Sequence, residues 1–292
     1  MRIVVYRYLR FPGGKQKAVT FSYDDGIKAD IRLAEIFNKH NMKATFNINS
    51  SRISKEISDW NLTKEEIKEH LIEGGHEIAV HGKFHLAPGK LRPIDALREF
   101  LDCRLELEDM FDIIIRGMAY PFSGINIIQN SSTYENIKNC LENIDIAYSR
   151  TLGRDNDLFQ LPTDWHAWMP SAHHNNEKIF EYIKSFLNIT NDESINGDYR
   201  YPRLLYIWGH SYEFDRQDNW DRIEQICSQL SGQDDIWYAT NIEIYDYVKA
   251  FNSLIFSADG TRIYNPTDKT IWFENIGDGV TSIEPGKTIK IK

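Results

Sequence analysis

Two adjacent carboxylates and a closely spaced pair of histidines are the residues of this sequence best suited to chemistry. Asp24 and Asp25 lie in the Tyr-Asp-Asp-Gly segment 23–26, directly after a predicted strand, so that one carboxylate can bind a metal while its neighbour acts as a base. His81 and His85 follow another predicted strand. Carboxylate and neutral imidazole groups are typical zinc ligands, and a catalytic zinc site keeps positions open for water and substrate. Asp25, His81 and His85 therefore predict a three-ligand metal site, although each motif alone also occurs without a metal.

A third histidine, His210, directly follows the predicted strand Leu204–Trp208. A histidine at the end of an apolar strand is a candidate general acid, because its pKa can be tuned near neutrality. A single histidine there is also often purely structural. Its occurrence together with the two aspartates and the paired histidines favours a catalytic role.

Strands and helices alternate over residues 17–251, and this arrangement must position the chemical groups. The predicted strands are Lys17–Phe21, Lys43–Ile48, Glu77–Val80, Asp112–Met118, Ile146–Ser149, Leu204–Trp208 and Ile236–Tyr238. The predicted helices are Ile27–His40, Thr63–Ile72, Pro93–Met110, Thr133–Glu142, Glu177–Leu187, Trp220–Leu230 and Asn241–Phe251. Such alternation predicts parallel strands in an α/β fold, a barrel rather than an open sheet, with reactive residues where the strands end.

The pattern changes after Phe251. Four short β-rich segments follow, separated by turn sequences that include residues 277–279. The segments are Leu254–Phe256, Arg262–Tyr264, Thr270–Phe273 and Thr288–Ile291. We therefore predict a barrel domain over residues 1–252 and a small β-rich appendage over residues 253–292.

Charge, cysteines and hydrophobic segments limit the classes of partner. The 292-residue chain has 34 basic and 43 acidic residues, a net charge of −9, and therefore no general attraction for nucleic acid or an anionic membrane. Its three cysteines form no CxxC motif. The apolar stretch Ile3–Val5 is too short for the core of a signal peptide. These features predict a soluble, cytoplasmic protein without a disulfide framework.

The combined motifs resemble those of the polysaccharide deacetylases of carbohydrate esterase family four, over roughly residues 17–250. The family motif T-F-x-D-D-G resembles Thr20–Gly26, with one extra residue before the aspartates. The motif H-[ST]-x-x-H resembles His81–His85, with glycine in the Ser/Thr place. A motif ending in Asp-Trp resembles Asp164 and Trp165, and a strand ending in L-x-x-H resembles Leu204–His210.

The resemblance implies a deformed (β/α)7 barrel and a divalent metal, usually zinc, with cobalt or nickel as alternatives. It implies that the Asp-His-His set named above binds this metal. It also implies that Asp24 is the general base, that His210 is the general acid, and that Asp164 orients His210 or tunes its pKa.

One family motif departs from the pattern. Where the family has R-P-P-Y-G, residues 119–124 read Ala-Tyr-Pro-Phe-Ser-Gly, so Ala119 replaces the arginine that pairs with the base. Arg150, at the end of the next predicted strand, is the candidate replacement, and Arg116 is a weaker one. The backbone N–H of Phe122 remains a candidate donor to the oxyanion, because a backbone group survives a change of side chain.

Aromatic and histidine side chains near the motifs are candidates for substrate contact. Flat rings can stack on the faces of sugars, and core packing is the alternative role for each ring. The candidate substrate-binding residues are Trp165, Trp208, Tyr120 and Tyr212. His173 and His174 could contact substrate or a second metal, although histidines in such loops are commonly just exposed.

The sequence therefore predicts a metal-dependent hydrolase that removes acetyl groups, in the first place N-acetyl groups, from a saccharide and releases acetate. Two alternatives remain open: an amidohydrolase of another small C–N compound such as a cyclic ureide, and a carbohydrate-binding pseudoenzyme. The complete Asp-His-His set favours the metal enzyme. The missing arginine at position 119 and the extra residue Tyr23 favour the pseudoenzyme. The sequence does not indicate the sugar, its linkage or the oligomeric state.

Overall fold

The computed structural model describes residues 6–190, 200–276 and 279–291. The apolar stretch Ile3–Val5 and the first two residues of the predicted turn 277–279 lie outside the described residues. Among the described helices, none has the length and apolar character needed to cross a lipid bilayer.

The described residues form a regular succession of strands and helices. The strands are β1 (Arg7–Arg10), β2 (Lys17–Asp25), β3 (Thr45–Ile48), β4 (Glu77–Val80), β5 (Gly117–Ala119), β6 (Tyr148–Arg150), β7 (Ala172–His173), β8 (Arg203–Gly209), β9 (Ile236–Tyr238), β10 (Ile255–Phe256), β11 (Arg262–Tyr264), β12 (Ile271–Asn275), β13 (Gly279–Ile283) and β14 (Thr288–Lys290). The helices are α1 (Ala29–Lys39), α2 (Lys64–Glu66, continued by a π-helical segment Ile67–Ile72), α3 (Pro93–Phe111), α4 (Tyr134–Asn143), α5 (Ile179–Leu187), α6 (Tyr212–Gln217), α7 (Trp220–Leu230) and α8 (Asn241–Asn252).

The largest sheet is parallel and curled, with the strand order β6-β5-β4-β3-β2-β8-β7, and β9 pairs with the start of β2. This is the predicted deformed (β/α)7 barrel. The chain segments at the two ends of the sheet meet through a bridge between Arg150 and Trp168. There Trp168 N donates to Ser149 O at 3.1 Å and Thr151 N donates to Trp168 O at 2.9 Å. These bonds bring β6, and with it Arg150, close to the segment that precedes β7.

Strand β2 is the centre of the barrel, and every one of its residues is buried. Strands β3 and β8 pair with its two edges, and helices pack on the outside of the sheet, as in other parallel sheets. Helix α1 contributes Leu33 and Phe37, which lie on one helical face and are fully buried. A capping box is present at the start of α2: Thr63 accepts from Glu66 N, and Glu66 accepts from Thr63 N.

Strand β2 is longer than its sequence pattern predicts, because it continues past Phe21 to Asp25. Its last four residues pair with Thr45–Ile48 of β3, a long-range contact that local sequence does not reveal. Asp24 and Asp25 therefore belong to the end of the strand rather than to a turn. The pairing with β3 fixes Asp24 on a rigid element, and Asp25, with a φ of 84°, ends the strand beside it.

Two other strands also differ from their predicted bounds. The predicted strand Asp112–Met118 is reduced to β5, because Asp112 adopts a left-handed conformation (φ 53°) that ends α3. The predicted strand Ile146–Ser149 is shifted to β6 and includes Arg150. As a result Arg150 lies beside Ala119 in the register of the sheet.

The C-terminal strands form two antiparallel sheets, β10-β11-β14 and β1-β12-β13. The second sheet contains β1, from the start of the chain, which the sequence analysis did not predict. A buried ion pair between Arg10 and Glu274 joins β1 to β12. The division of the chain at residue 252 stays a prediction, and residues 7–10 pair with the C-terminal part rather than with the barrel sheet.

Candidate active site

Asp25, His81 and His85 converge at the carboxyl ends of β2 and β4, the two strands that flank β3 in the sheet. Asp25 is the last residue of β2, and His81 directly follows β4. Asp25 Oδ1 lies 3.4 Å from His85 Nε2 and 4.0 Å from His81 Nε2. All three side chains are buried, and their ligand atoms lie within 4.8 Å of one another. The predicted ligand set is thus brought together with the spacing that a single divalent ion needs.

The two histidines are held in the neutral form that metal binding requires. The Nδ1–H of His81 donates to the Ala119 carbonyl at 2.9 Å, so its Nε2 lone pair is free to face Asp25. Burial lowers the pKa of His81, and burial together with the neighbouring imidazole lowers the pKa of His85 to about 4. A carboxylate and two neutral imidazoles are therefore available, a donor set that fits zinc, cobalt or nickel.

The loop that carries both histidines is shaped by Glu99 of α3. Glu99 Oε1 accepts from Phe84 N at 2.8 Å and from Leu86 N at 3.0 Å. Gly82 has a φ of 77°, and a Cβ at this position would lie 2.7 Å from Glu99 Oε1. The positive φ, at which any side chain is strained, explains why glycine stands here in place of the serine or threonine that the resemblance suggested, and Glu99 adds to this constraint.

Arg52 contacts the candidate ligand Asp25, although no motif of the sequence indicates it. Its Nη1 donates to Asp25 Oδ1 at 3.2 Å. Hydrogen bonds from outside groups to a ligating carboxylate fix its orientation. The arginine is separated from the motifs in the sequence, so only the folding of the loop after β3 reveals it.

Asp24 lies beside this cluster and is paired with Arg150. The guanidinium of Arg150 donates to Asp24 Oδ2, and Asn47 Nδ2 donates to Asp24 Oδ1 at 2.8 Å. Both charged groups are buried, and the guanidinium lies 4.5 Å from the ring centre of Trp208. Arg116, the weaker candidate, pairs instead with Asp246 at 3.0 Å. The structure therefore brings Arg150 to the position where sequence reasoning required an arginine.

The surroundings of Asp24 favour its ionised form. Burial alone would raise the pKa of Asp24, but the charge of Arg150, followed by those of His81 and His210, outweighs this effect and lowers the pKa. Asp24 Oδ2 lies 3.8 Å from His81 Nε2 and 3.9 Å from His210 Nε2. An ionised carboxylate is thus flanked by a candidate metal ligand and a candidate acid.

His210 follows β8 and is oriented by Glu213, at the start of α6. Its Nδ1 lies 3.2 Å from Glu213 Oε1, which leaves Nε2 facing Asp24. Burial alone would lower the pKa of His210, but the hydrogen bond to Glu213 and the charge of Asp24 more than offset it, so the pKa is raised. A raised pKa keeps the imidazole protonated to higher pH, as a general acid requires.

Asp164, which the family resemblance assigned to orienting His210, has its described contacts elsewhere. Its carboxylate caps a short helical turn by accepting from His166 N at 2.9 Å. It also accepts from Tyr134 at 2.7 Å and from Lys138 at 3.0 Å, both on α4. Among the described contacts, those of Asp164 are to α4 and its own turn, and Glu213 contacts His210 instead. The spacing of three residues between His210 and Glu213 was the sequence signal that could have indicated this pair.

The four predicted substrate-binding rings fall into two groups. Trp208 and Tyr212 lie at the site, with ring centres 5.8 and 5.1 Å from that of His210. Trp165 packs instead against Trp168 and Tyr245. Tyr120 is buried and its hydroxyl donates to the His166 carbonyl. Only the first pair is placed to contact a ligand bound beside Asp24.

Two further aromatic rings border the site. Phe122 is 64% exposed and its ring centre lies 4.2 Å from that of His85. Within the described part of the chain, the backbone N–H of Phe122 has no protein acceptor. Trp60, which the sequence analysis missed, is 50% exposed and lies 5.8 Å from Tyr212. Exposed rings therefore border the cluster on the side of His85 and on the side of His210.

These residues form a candidate metal-binding and acid–base site at one end of the deformed barrel. The polysaccharide deacetylase family model matches residues 11–162, more than half of the chain. The chain belongs to the polysaccharide deacetylase family. His210 and Glu213 lie beyond the matched residues, so their part in the site is seen from the geometry alone.

Solved structures share the fold. One is a protein from Mycobacterium smegmatis classed as a polysaccharide deacetylase, with 16% identity and a TM-score of 0.57, covering 84% of this chain and 94% of that chain. Another, from Pseudomonas aeruginosa and classed in the same way, has 14% identity and a TM-score of 0.53, covering 81% of this chain and 92% of that chain. Among curated proteins, no sequence matches this chain. At these identities the similarity concerns the fold alone.

We expect the purified chain to bind about one divalent ion in the cluster of Asp25, His81 and His85. His85→Ala should lose this ion, because two remaining ligands hold a divalent metal weakly. The measurement is metal content by mass spectrometry after zinc loading and dialysis. His70→Ala, on the π-helical segment, is the matched control and should keep the metal. Equal zinc content in His85→Ala and the unaltered chain would show that the ion binds elsewhere.

Proposed function

We propose that this protein is a divalent-metal-dependent deacetylase that hydrolyses the acetyl groups of a saccharide and releases acetate. The observation that carries the proposal is the position of Asp24. Its Oδ2 lies within 4 Å of His81, a candidate metal ligand, and of His210, a candidate acid. A base, a metal site and an acid around one point are what hydrolysis of an acetamide requires.

Asp25, His81 and His85 would hold the ion, with zinc as the first choice and cobalt or nickel as alternatives. A divalent ion bound there supplies Lewis acidity to the acetyl carbonyl and makes a nearby water more acidic. The ligand geometry supports this assignment, because three donors leave coordination positions for water and substrate.

Asp24 takes the proton of the attacking water while the water oxygen bonds to the acetyl carbon. Arg150 and Asn47 hold the two carboxylate oxygens, so the base keeps one orientation in its buried position. Its lowered pKa keeps it ionised at neutral pH. Arg150 thereby performs the task of the arginine that is missing at position 119, which supports an active enzyme over a carbohydrate-binding pseudoenzyme.

Phe122 and His210 complete the reaction. The free N–H of Phe122 donates to the carbonyl oxygen as it becomes negatively charged. His210 then gives its Nε2 proton to the leaving nitrogen as the C–N bond breaks, because an amide anion is too basic to leave unprotonated. The products are acetate and a free amine. An O-acetyl substrate needs less help from His210, since an alkoxide leaves more easily.

The saccharide would lie across the exposed rings that border the cluster. Tyr212 and Trp60 can stack on a sugar beside His210, and Phe122 can contact one beside His85. Trp208, partly buried under Arg150, can contact the acetyl group. Ring faces of this size suit the apolar faces of sugars, which supports an acetylated saccharide as the substrate class.

Asp24→Asn should abolish most acetate release, by about 10²–10⁴-fold, because the carboxamide cannot accept the proton of water. Zinc should remain bound, since Asp24 is not among the three ligands. The measurement is acetate release from N- and O-acetylated mono-, oligo- and polysaccharides, together with metal content. Asp109→Asn, on the exposed face of α3, is the control and should keep the unaltered rate. A fully active Asp24→Asn enzyme would mean that another group is the base.

The pH dependence of kcat should reflect the ionisation of His210. The acid works only when protonated, so kcat for an N-acetyl substrate should fall as pH rises through the pKa of His210. Because Glu213 raises that pKa, Glu213→Gln should move the alkaline limb of the profile to lower pH. Glu224→Gln, which removes the carboxylate beside the partly buried His40, should leave the limb in place. An unmoved limb in Glu213→Gln would argue against His210 as the acid.

A further inference from the structure

Glu213 is surrounded by three imidazoles, and only one of them belongs to the reaction described above. Its Oε1 contacts His210, and its Oε2 lies 3.1 Å from both His173 Nε2 and His174 Nε2. His173 is the last residue of β7, which pairs with Ile207 and Trp208 of β8. The two strands therefore bring all three histidines to the same carboxylate, at the same edge of the barrel as Asp24.

The protonation of His173 can be assigned from its neighbours. The backbone N–H of Asn175 donates to His173 Nδ1 at 3.1 Å, so Nδ1 carries the lone pair. A neutral imidazole has one protonated nitrogen, which must then be Nε2. The protonated Nε2 lies 3.1 Å from Glu213 Oε2, so His173 is placed to donate to this oxygen rather than to offer it a free lone pair.

His174 has a different role, because it is fully buried and packed between rings. It stacks on Tyr23, with ring centres 5.6 Å apart, and on Phe214, with ring centres 4.2 Å apart. Gly209 lies against it so closely that a Cβ there would be 1.9 Å from His174 Nδ1. The His174 ring is therefore held in one position against Glu213 by the residues packed around it. Tyr23, the extra residue of the first motif, is one of the two rings that pack against His174.

We propose that His173 is a positioning residue for His210. By donating to Oε2 of Glu213, His173 fixes the carboxylate so that Oε1 accepts the Nδ1–H of His210. The ring of His210 is then held with Nε2 directed at Asp24 and the leaving group. The importance of this geometry for catalysis rests on the proposed function, whereas the geometry itself does not.

Several charged or titratable groups face His210 and can also influence its protonation. Asp24 and Asp25 lie on β2, Glu213 and Tyr212 on α6, and His174 directly after β7. Replacing His173 leaves all five in place. A change confined to the tautomer of His210 therefore isolates the contribution of His173 through Glu213.

The experiment uses the full chain labelled with ¹⁵N-histidine, in which NMR shows which ring nitrogen of His210 carries the proton. His210→Gln assigns the signal. At a pH above the pKa of His210, where its imidazole is neutral, we expect the proton on Nδ1 in the unaltered chain and a mixture of both tautomers in His173→Ala. For an N-acetylated saccharide, kcat should fall by about 10-fold with KM nearly unchanged. His173→Gln, which keeps an N–H donor, should restore both readouts, and His40→Ala, which removes a similar contact with Glu224, should change neither.

An unchanged His210 tautomer in His173→Ala would overturn the proposal. So would a zinc content that falls from two ions per chain to one, because His173, His174 and Glu213 would then be a second metal site. If circular dichroism shows that His173→Ala does not fold, His173→Asn, with a carboxamide too short to reach Glu213, replaces it with the same expectations. If the unaltered chain hydrolyses no acetylated substrate, the proposed function fails, and the NMR result still decides the positioning.

Discussion

The buried ion pair between Asp24 and Arg150 is the interaction on which the site depends. Two buried charges are costly unless each is paired and hydrogen-bonded, and removing one partner leaves an uncompensated charge. Here Asn47 satisfies the second oxygen of Asp24, and the ring of Trp208 covers the guanidinium. The pair also connects distant parts of the barrel, because Asp24 is on the central strand β2 and Arg150 is on the outermost strand β6. The curl of the sheet is therefore a condition for the ion pair to form.

Three residues near this pair have a strained backbone. Asp25, His85 and Phe122 all have positive φ, a region that non-glycine residues seldom occupy and that costs roughly 1–3 kcal/mol per residue. Neighbouring groups compensate for part of this cost: Arg52 holds Asp25, and Glu99 holds the loop of His85. Each strained residue presents a candidate ligand or donor at the same edge of the barrel. The geometry of the site is thus maintained by contacts with surrounding side chains rather than by the intrinsic backbone preferences of these residues.

Much of this arrangement could be predicted from the sequence. Alternating strands and helices indicated the barrel, and motifs at strand ends indicated the Asp-His-His cluster. Arg150 could be predicted because an arginine was missing at Ala119 and the next strand offered another. In the structure the two positions are register neighbours, so a guanidinium from β6 reaches the place that one from β5 would occupy.

The remaining features depend on contacts between distant segments. Strand β1 forms only because β12, more than 250 residues later in the chain, pairs with it, and four residues give no pattern by themselves. Asp164 fits the family motif, but capping of its own turn and contacts with α4 fix it elsewhere. Glu213 was overlooked because its place beside His210 depends on helix α6, a six-residue element without a periodic pattern. Arg52 and Trp60 lie on a long loop whose path is set by tertiary contacts.

The central claim is that Arg150 holds Asp24 as the base of a deacetylase. The most direct test is the rate of acetate release by Arg150→Met, compared with Arg116→Met, whose guanidinium pairs with Asp246. With zinc content and circular dichroism unchanged, the account predicts a loss of about 10²–10³-fold for Arg150→Met and an unaltered rate for Arg116→Met. A folded, zinc-loaded Arg150→Met enzyme with the full rate would contradict the account.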